Sequence, residues 1–328
     1  MKKTVLVTGG AGYIGSHAAM ALIAEGYRVV VLDDLSTGNR MMVPQGTAAF
    51  VRGNVANGAL VRSLIRLHSI TSVLHFAALV DVAESQREPE KYLANNYDNT
   101  RLLVAAAKSA GVERFVFSST AAVYGNPDQV PTPENARLSP ISVYGQSKML
   151  AEEAVSESGM EYAILRYFNV AGADWKKGLG YMVKKDPTHL IRRVVLAMLG
   201  DIEHIDVFGT DYPTPDGTAV RDYIHVRDLA KAHVDILQYL KHSGVSDIYN
   251  VGYGRGYSVL EVVQAAERIL GKSIPQLNCH RRPGDPMMIV ASNRKLAETI
   301  KWQPEFMSLG GMIHDELDWV KSQRAHQE

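Results

Sequence analysis

The chain has 328 residues, 46% of them hydrophobic and 21% charged, and Lys plus Arg balance Asp plus Glu to a net charge of zero. That balance, without any basic run, excludes electrostatic capture of nucleic acid or of an anionic membrane. One cysteine, Cys279, excludes an intrachain disulfide and fits a reducing, cytoplasmic setting. No apolar run reaches membrane-spanning length, and the opening MKKTVLVTGG reads as a strand entering a turn rather than as a secretion signal.

In chain order, residues 4–8 predict a buried strand, Gly9 to Gly12 break it, and residues 14–25 predict a helix. Further short β-branched or aromatic runs predict strands at 27–33, 72–78, 114–119 and 162–168, with helical patterns between them at 58–68, 90–110 and 143–158. Continuous apolar strands alternating with helices mean a parallel sheet covered on both faces. The expectation is an α/β protein: a doubly wound (Rossmann) sheet over residues 1–170, rejoined by parts of 220–255. From residue 171 the texture turns to Gly, Pro and Asp, in GADWKKGLGYMVKKDPTH and GTDYPTPDGTAVRDY, which predicts binding loops. Helices follow at 188–199, 227–241 and 258–270, so residues 171–328 are expected to form mainly a smaller substrate-binding lobe.

The first turn carries Gly9, Gly12 and Gly15 in the pattern Gly-x-x-Gly-x-x-Gly. Such glycines serve a tight turn, backbone approach to a pyrophosphate, and close helix–strand packing, with the helix amino end facing the anion. Asp33 ends the next strand at the spacing of a ribose-binding acid, and no Arg or Lys follows it closely in DDLSTGN. A carboxylate there accepts from both ribose hydroxyls and repels a 2′-phosphate, which predicts NAD rather than NADP.

In SVYGQSKML, Tyr144 and Lys148 stand four apart and so share one helix face. In isolation that spacing is ordinary. Together with the glycine turn, with Asp33 and with Thr120 upstream, it resembles the catalytic set of the extended short-chain dehydrogenase/reductase family. The likeness runs through VTGGAGYIGSH (7–17), VLDDLSTG (31–38), VLHFAAL (73–79), YLANNYDNT (92–100), FSSTAAVYG (117–125), LRYFNVAGA (165–173), THLI (188–191), YNVGYG (249–254) and RRPGDP (281–286). The segment VFGTDYPTPDGTAVRDYIHVRDLA (207–230) is similar in particular to the family's nucleotide-sugar 4-epimerases.

That resemblance implies an activity: interconversion of UDP-glucose and UDP-galactose by transient oxidation at sugar C4, turning of the ketone, and return of the hydride by a tightly bound, recycled NAD. It implies Tyr144 as the base, Lys148 as the cation that lowers the phenol's pKa and holds the nicotinamide ribose, and Thr120 as a bridge to the substrate oxygen. For NAD it implies Tyr13 and Ile14 in the turn, Asp34, Leu35, Ser36, Thr37 and Gly38 after the ribose acid, and Asn54 and Val55 near the adenine. It adds Phe76, Ala77, Ala78, Val80, Asn95 and Ser118 along the strand ends, and the Phe168 carbonyl beside the nicotinamide. For the UDP-sugar it implies Asn169, His189, Leu190 and Tyr223, with Arg221 and Arg282 forked onto the diphosphate. Asp285 would serve the uridine ribose or orient Arg282. A homodimer through the helices at 90–110 and 143–158 is expected as well.

Several positions depart from related enzymes. Dehydratases of the family carry Asp-Glu directly after the threonine and decarboxylases a Glu one residue further on, where this chain has Ala121 and Ala122, which cannot move a proton. Asn54 stands for the usual Asp, Val80 for a Lys of some members, and Ser292 for an Asp. Ile289, with Met288 beside it, falls where the family gates the sugar's C2 substituent, and isoleucine leaves UDP-N-acetylhexosamines and UDP-pentoses open. A noncatalytic, NAD-binding regulatory protein is the more remote alternative, and it normally lacks the Tyr–Lys pair. His225 in DYIHVRD reads as structural, and the eleven His and one Cys show no metal-ligand spacing.

Overall fold

The computed structural model describes residues 3–182, 187–282 and 284–325. Residues 183–186 of the loop stretch after 171, and Pro283 of RRPGDP, lie outside the described residues. Strands β1 (Thr4–Thr8), β2 (Arg28–Asp33), β3 (Ala49–Arg52), β4 (Ile70–His75), β5 (Arg114–Thr120) and β6 (Glu161–Tyr167) alternate with helices. These are α1 (Tyr13–Ala24), α2 (Gly58–His68), the short α3 (Val82–Arg87) and α4 (Pro89–Tyr92), α5 (Asn99–Ser109) and α6 (Val143–Ser156). The later part adds β7 (Asn169–Ala171), α7 (Leu190–Leu199), β8 (Ile205–Phe208), β9 (Val220–His225), α8 (Val226–Ser243), β10 (Asp247–Val251), β11 (Gly256–Ser258), α9 (Val259–Leu270), β12 (Gln276–Cys279), β13 (Met288–Ile289), α10 (Arg294–Ile300) and α11 (Leu309–Ala325).

Seven parallel strands form the main sheet in the order β10-β6-β5-β4-β1-β2-β3. Strand periodicity sends alternate residues to opposite faces. Val5, Val7, Val29 and Val31 join one apolar cluster with Leu229, Val234 and Leu237 of α8. Leu6, Val30 and Leu32 join another with Val61 and Leu64 of α2, Leu103 of α5 and Val155 of α6. The chain runs from β1 out to β3 and returns to β4 on the other side of β1. That reversal opens a crevice at the carboxyl ends of the strands, the usual ligand position in doubly wound sheets. A smaller sheet in which β9 pairs with β7, β11 and β13 stands beside this crevice.

Some elements differ from the sequence expectation. The strand expected over 72–78 ends at His75, and Phe76 to Ala78 turn off to line the crevice. The helix expected over 90–110 is interrupted, since Leu93–Asp98 is π-helical. There Asn96 turns inward, donating to the Leu79 carbonyl at 2.9 Å and to Ser147 Oγ at 3.2 Å. The edge strand β3 was not anticipated, because its four residues are only partly covered and carry no alternation. Nor was α11, which opens Leu-Gly-Gly, a poor helical start that is held by packing of Met312, Ile313, Leu317 and Trp319. Among the described residues no helix is long and apolar enough to cross a membrane.

Candidate active site

The predicted residues surround one cleft of about 1000 Å³ at the strand ends. At its floor, Gly9 has φ +70° and an added Cβ would lie 2.5 Å from the Ala77 nitrogen. A Cβ on Gly15 would lie 2.2 Å from the Gly9 carbonyl oxygen, so α1 packs directly on the turn. Gly12 differs: its added Cβ would meet only the Gly9 oxygen, at 3.2 Å, and the residue lines the cleft. The amino end of α1 therefore opens onto the cleft with its backbone uncovered, a cradle suited to a pyrophosphate. Asp33 is buried and held by the amides of Ala11 (2.9 Å) and Leu35 (2.8 Å). Gly38 lets the following chain fold close over that carboxylate. Asn54 donates to Asp34 Oδ2 at 3.2 Å, and Tyr13 donates its hydroxyl to the Gly172 carbonyl at 2.5 Å. These features fit a dinucleotide: an anion cradle at the end of one strand and a carboxylate at the end of the next, in the same cleft.

The residues expected to handle the proton are placed by the start of α6. Ser142 caps it, accepting from the Gly145 amide at 3.1 Å. Gly145 permits close approach to the turn after β5, since a Cβ there would lie 2.6 Å from the Ala122 carbonyl oxygen. This contact sets Tyr144 beside Thr120 in the cleft lining. Ala121 and Ala122 line the cleft beside them. Lys148, one turn further on, donates to the Ser118 carbonyl at 2.8 Å and lies 4.7 Å from the centre of the Phe117 ring.

In the protein without cofactor, burial dominates the Tyr144 phenol: it pushes it up to about 12, and the nearby Thr120 hydroxyl only partly offsets this. Burial also pulls Lys148 down to about 7, so near neutrality its own charge is only partial, and its ammonium is turned to Ser118.

At the far end of the cleft, Arg221 donates to the Val220 carbonyl at 2.8 Å and forms an ion pair with Asp285. The carboxylate expected to serve the uridine ribose or to orient Arg282 is thus paired with Arg221, while its charge also acts on Arg282. The register of β13 on β9, Ile289 opposite Arg221, brings the loop before β13 to Arg221. The Arg282 guanidinium lies 3.7 Å from the centre of the Phe208 ring. Phe168, Asn169, His189, Leu190, Tyr223 and Ile289 also line the cleft, as do Ser36, Thr37, Val55, Ala78, Val80 and Asn95. Leu35 and Met288 are not among the lining residues. His225 is buried, accepts from the Arg227 amide at 3.1 Å at the start of α8, and pairs with Asp315 at 3.1 Å.

Sequence reasoning missed Asp81, Tyr167 and Tyr181, which line the same cleft. Asp81 caps α3, accepting from the Glu84 amide at 2.8 Å. An isolated acid inside ALVDVA was the available signal for it.

Comparisons with known proteins agree with this geometry. Residues 5–252 match the model of the "NAD dependent epimerase/dehydratase family". A UDP-glucose 4-epimerase of Azospirillum brasilense is 44% identical over 322 residues, covering 97% of this chain and 92% of that protein. The crystal structure of a UDP-glucose 4-epimerase from Stenotrophomonas maltophila, with bound NAD and formylated UDP-arabinopyranose, superposes with a TM-score of 0.94 at 36% identity, covering 99% of this chain and 100% of that one. The Brucella ovis UDP-glucose 4-epimerase in complex with NAD gives 0.90 at 39% identity, covering 96% and 97%. With a glycine turn, a buried carboxylate and a Tyr–Lys–Thr set in one cleft, and a family match over most of its length, the chain belongs to the NAD dependent epimerase/dehydratase family.

Proposed function

We infer that this protein is an NAD-dependent UDP-sugar 4-epimerase that interconverts UDP-glucose and UDP-galactose. One observation carries the reading. Tyr144, Thr120 and Lys148 converge in the cleft that holds the glycine turn and Asp33, while the places an eliminating acid would take are Ala121 and Ala122. NAD held by the glycine turn and Asp33 would supply the hydride acceptor and donor for C4. Tyr144 takes the C4 hydroxyl proton and gives it back, and Thr120 holds the hydroxyl to the phenol. Lys148 supplies positive charge and a donor to the cofactor ribose. Arg221 and Arg282 bind the diphosphate, with Arg221 leaving Asp285 for it. Residues 1–170 with β10 carry the cofactor, and 171–328 mainly the UDP-sugar.

Incubation with UDP-galactose and no added NAD should yield UDP-glucose. No conversion, even after NAD is supplied, rejects the assignment; stoichiometric consumption of free NAD would indicate a net dehydrogenase. Ile289, buried in the cleft wall opposite Arg221, leaves N-acetylated sugars open as a second reading. Parallel assays with UDP-N-acetylgalactosamine separate the two.

A cytoplasmic location, consistent with one cysteine, and a homodimer complete the proposal. The groove between α5 and α6, lined by Tyr97, Arg101, Val104, Leu150 and Glu153, fits a second copy of these helices. Leu150→Glu should convert a dimer to a monomer in light scattering after gel filtration. An unchanged mass would place the interface elsewhere.

A further inference from the structure

The buried face of α6 continues past the two residues already placed in the cleft. Tyr144, Lys148 and Glu152 follow at intervals of four, so they stack in one stripe along the helix. Lys148 is 3% exposed and Glu152 4%. A carboxylate buried this deeply persists only if it is paired and hydrogen-bonded. Arg166 of β6 donates to Glu152 from Nε at 2.9 Å and from Nη2 at 2.5 Å, and Ser119 donates its hydroxyl. Arg166 is fixed in turn by the Tyr124 hydroxyl and the Glu134 carbonyl, each at 3.1 Å, and Tyr124 donates to Asn250 Oδ1 at 2.7 Å. Ser119 directly follows Ser118, whose carbonyl receives Lys148. One strand end therefore registers the ammonium and the carboxylate together.

Resting on the functional reading above, we propose that Glu152 is a positioning residue for the reaction. Clamped by Arg166 and Ser119, it is the fixed anion that favours the protonated form of Lys148 beneath Tyr144. The other groups around Lys148 do not supply that charge. From β4, His75 is held between Thr8 and Thr100 at 2.6 and 2.9 Å, and burial keeps it neutral. From β6 come Arg166, a cation, and Tyr167, whose phenol burial keeps protonated. From α8 comes His233, 5.7 Å from Tyr167 and also neutral through burial. Burial works against the Lys148 ammonium, and the charge of Glu152 is what works for it. Taking that charge away leaves the buried Arg166 without its ion-pair partner and the buried Lys148 without the charge that favours its ammonium.

The test compares wild type, Glu152→Gln and Glu152→Gln/Arg166→Met as NAD-loaded proteins. The double variant keeps the fold testable by removing the stranded guanidinium. Two readouts are taken: the pH profile of kcat with UDP-galactose, and the titration of the Lys148 ε-carbon signal in ¹³C-lysine-labelled protein, assigned with Lys148→Arg. The Lys148 midpoint and the alkaline limb of kcat should both move to lower pH by about one unit or more in Glu152→Gln. The double variant should move in the same direction by less. Midpoints unmoved in every variant that folds overturn the proposal, whatever the loss of stability, since a purely structural role lowers amplitude without moving the titration. Inactivity of the wild type would defeat the functional reading instead, and the carbon titration would still decide the role of Glu152.

Discussion

Tyr144→Phe should lower turnover of UDP-galactose by about 10³-fold or more, the scale on which a positioned acid–base group acts. The replacement removes one oxygen and leaves the ring, so the packing of α6 against the turn after β5 stays intact. That turn is secured by Gly145 against Ala122 and by Ser142 at the cap, neither of which needs the phenol. Thermal stability and NAD content should therefore remain near wild type. The hydroxyl has no substitute nearby. Thr120, in the same cleft, is a far weaker acid, and Ala121 and Ala122 have no proton to transfer. The neighbouring Tyr167 hydroxyl is engaged with Ser118. Because burial holds the Tyr144 phenol near 12, only about one molecule in 10⁴ of the unloaded protein carries the phenolate at pH 8. The charges of the loaded site, Lys148 among them, must bring that value down, so wild-type kcat should rise with pH on its acidic side. A Tyr144→Phe variant that keeps wild-type turnover would refute the base assignment. One that loses its fold or its NAD would move Tyr144 to a structural role.

Much of this site is legible in the chain because local patterns encode it. The glycine turn declares itself through its spacing, two of its three glycines leaving no room for a side chain, and Asp33 through its distance from that turn. The parallel sheet follows from apolar runs too short for helices. What the sequence hides depends on long-range pairing. Asp285 lies three residues from Arg282, which invites a local pairing, yet strand register brings it to Arg221. Tyr144 and Lys148 look like a couple four residues apart. Burial, which no spacing reveals, raises one and lowers the other, and the Lys148 hydrogen bond goes to Ser118. Glu152 is invisible as a partner until β6 delivers Arg166 from the next strand. The π-helical turn at Leu93–Asp98 was hidden because its apolar pattern still resembles a continuous helix.

Two glycines of the same motif should fail in different ways, and the contrast tests whether the turn exists for the fold or for the ligand. Gly15→Ala drives a Cβ to within 2.2 Å of the Gly9 oxygen, backbone against backbone, where neither side can rotate away. The helix must lift from the turn, and the expected loss is about 3 kcal/mol of stability, in the range of overpacked core positions. Gly12→Ala meets only the Gly9 oxygen, at 3.2 Å, and Gly12 has φ −87° and ψ 176°, an extended conformation open to any residue. Its methyl group enters the cleft where the cofactor's pyrophosphate is to approach the backbone. The unloaded Gly12→Ala protein should therefore melt within a few degrees of unloaded wild type, while its NAD affinity falls at least about tenfold, a loss of roughly 1.4 kcal/mol. Calorimetric titration of NAD into stripped protein, beside melting curves of the same samples, reads both quantities. Equal melting losses in the two variants would mean that Gly12 serves packing. Unchanged NAD affinity in Gly12→Ala would move the pyrophosphate off this turn and remove the main support for Asp33 as the ribose acid.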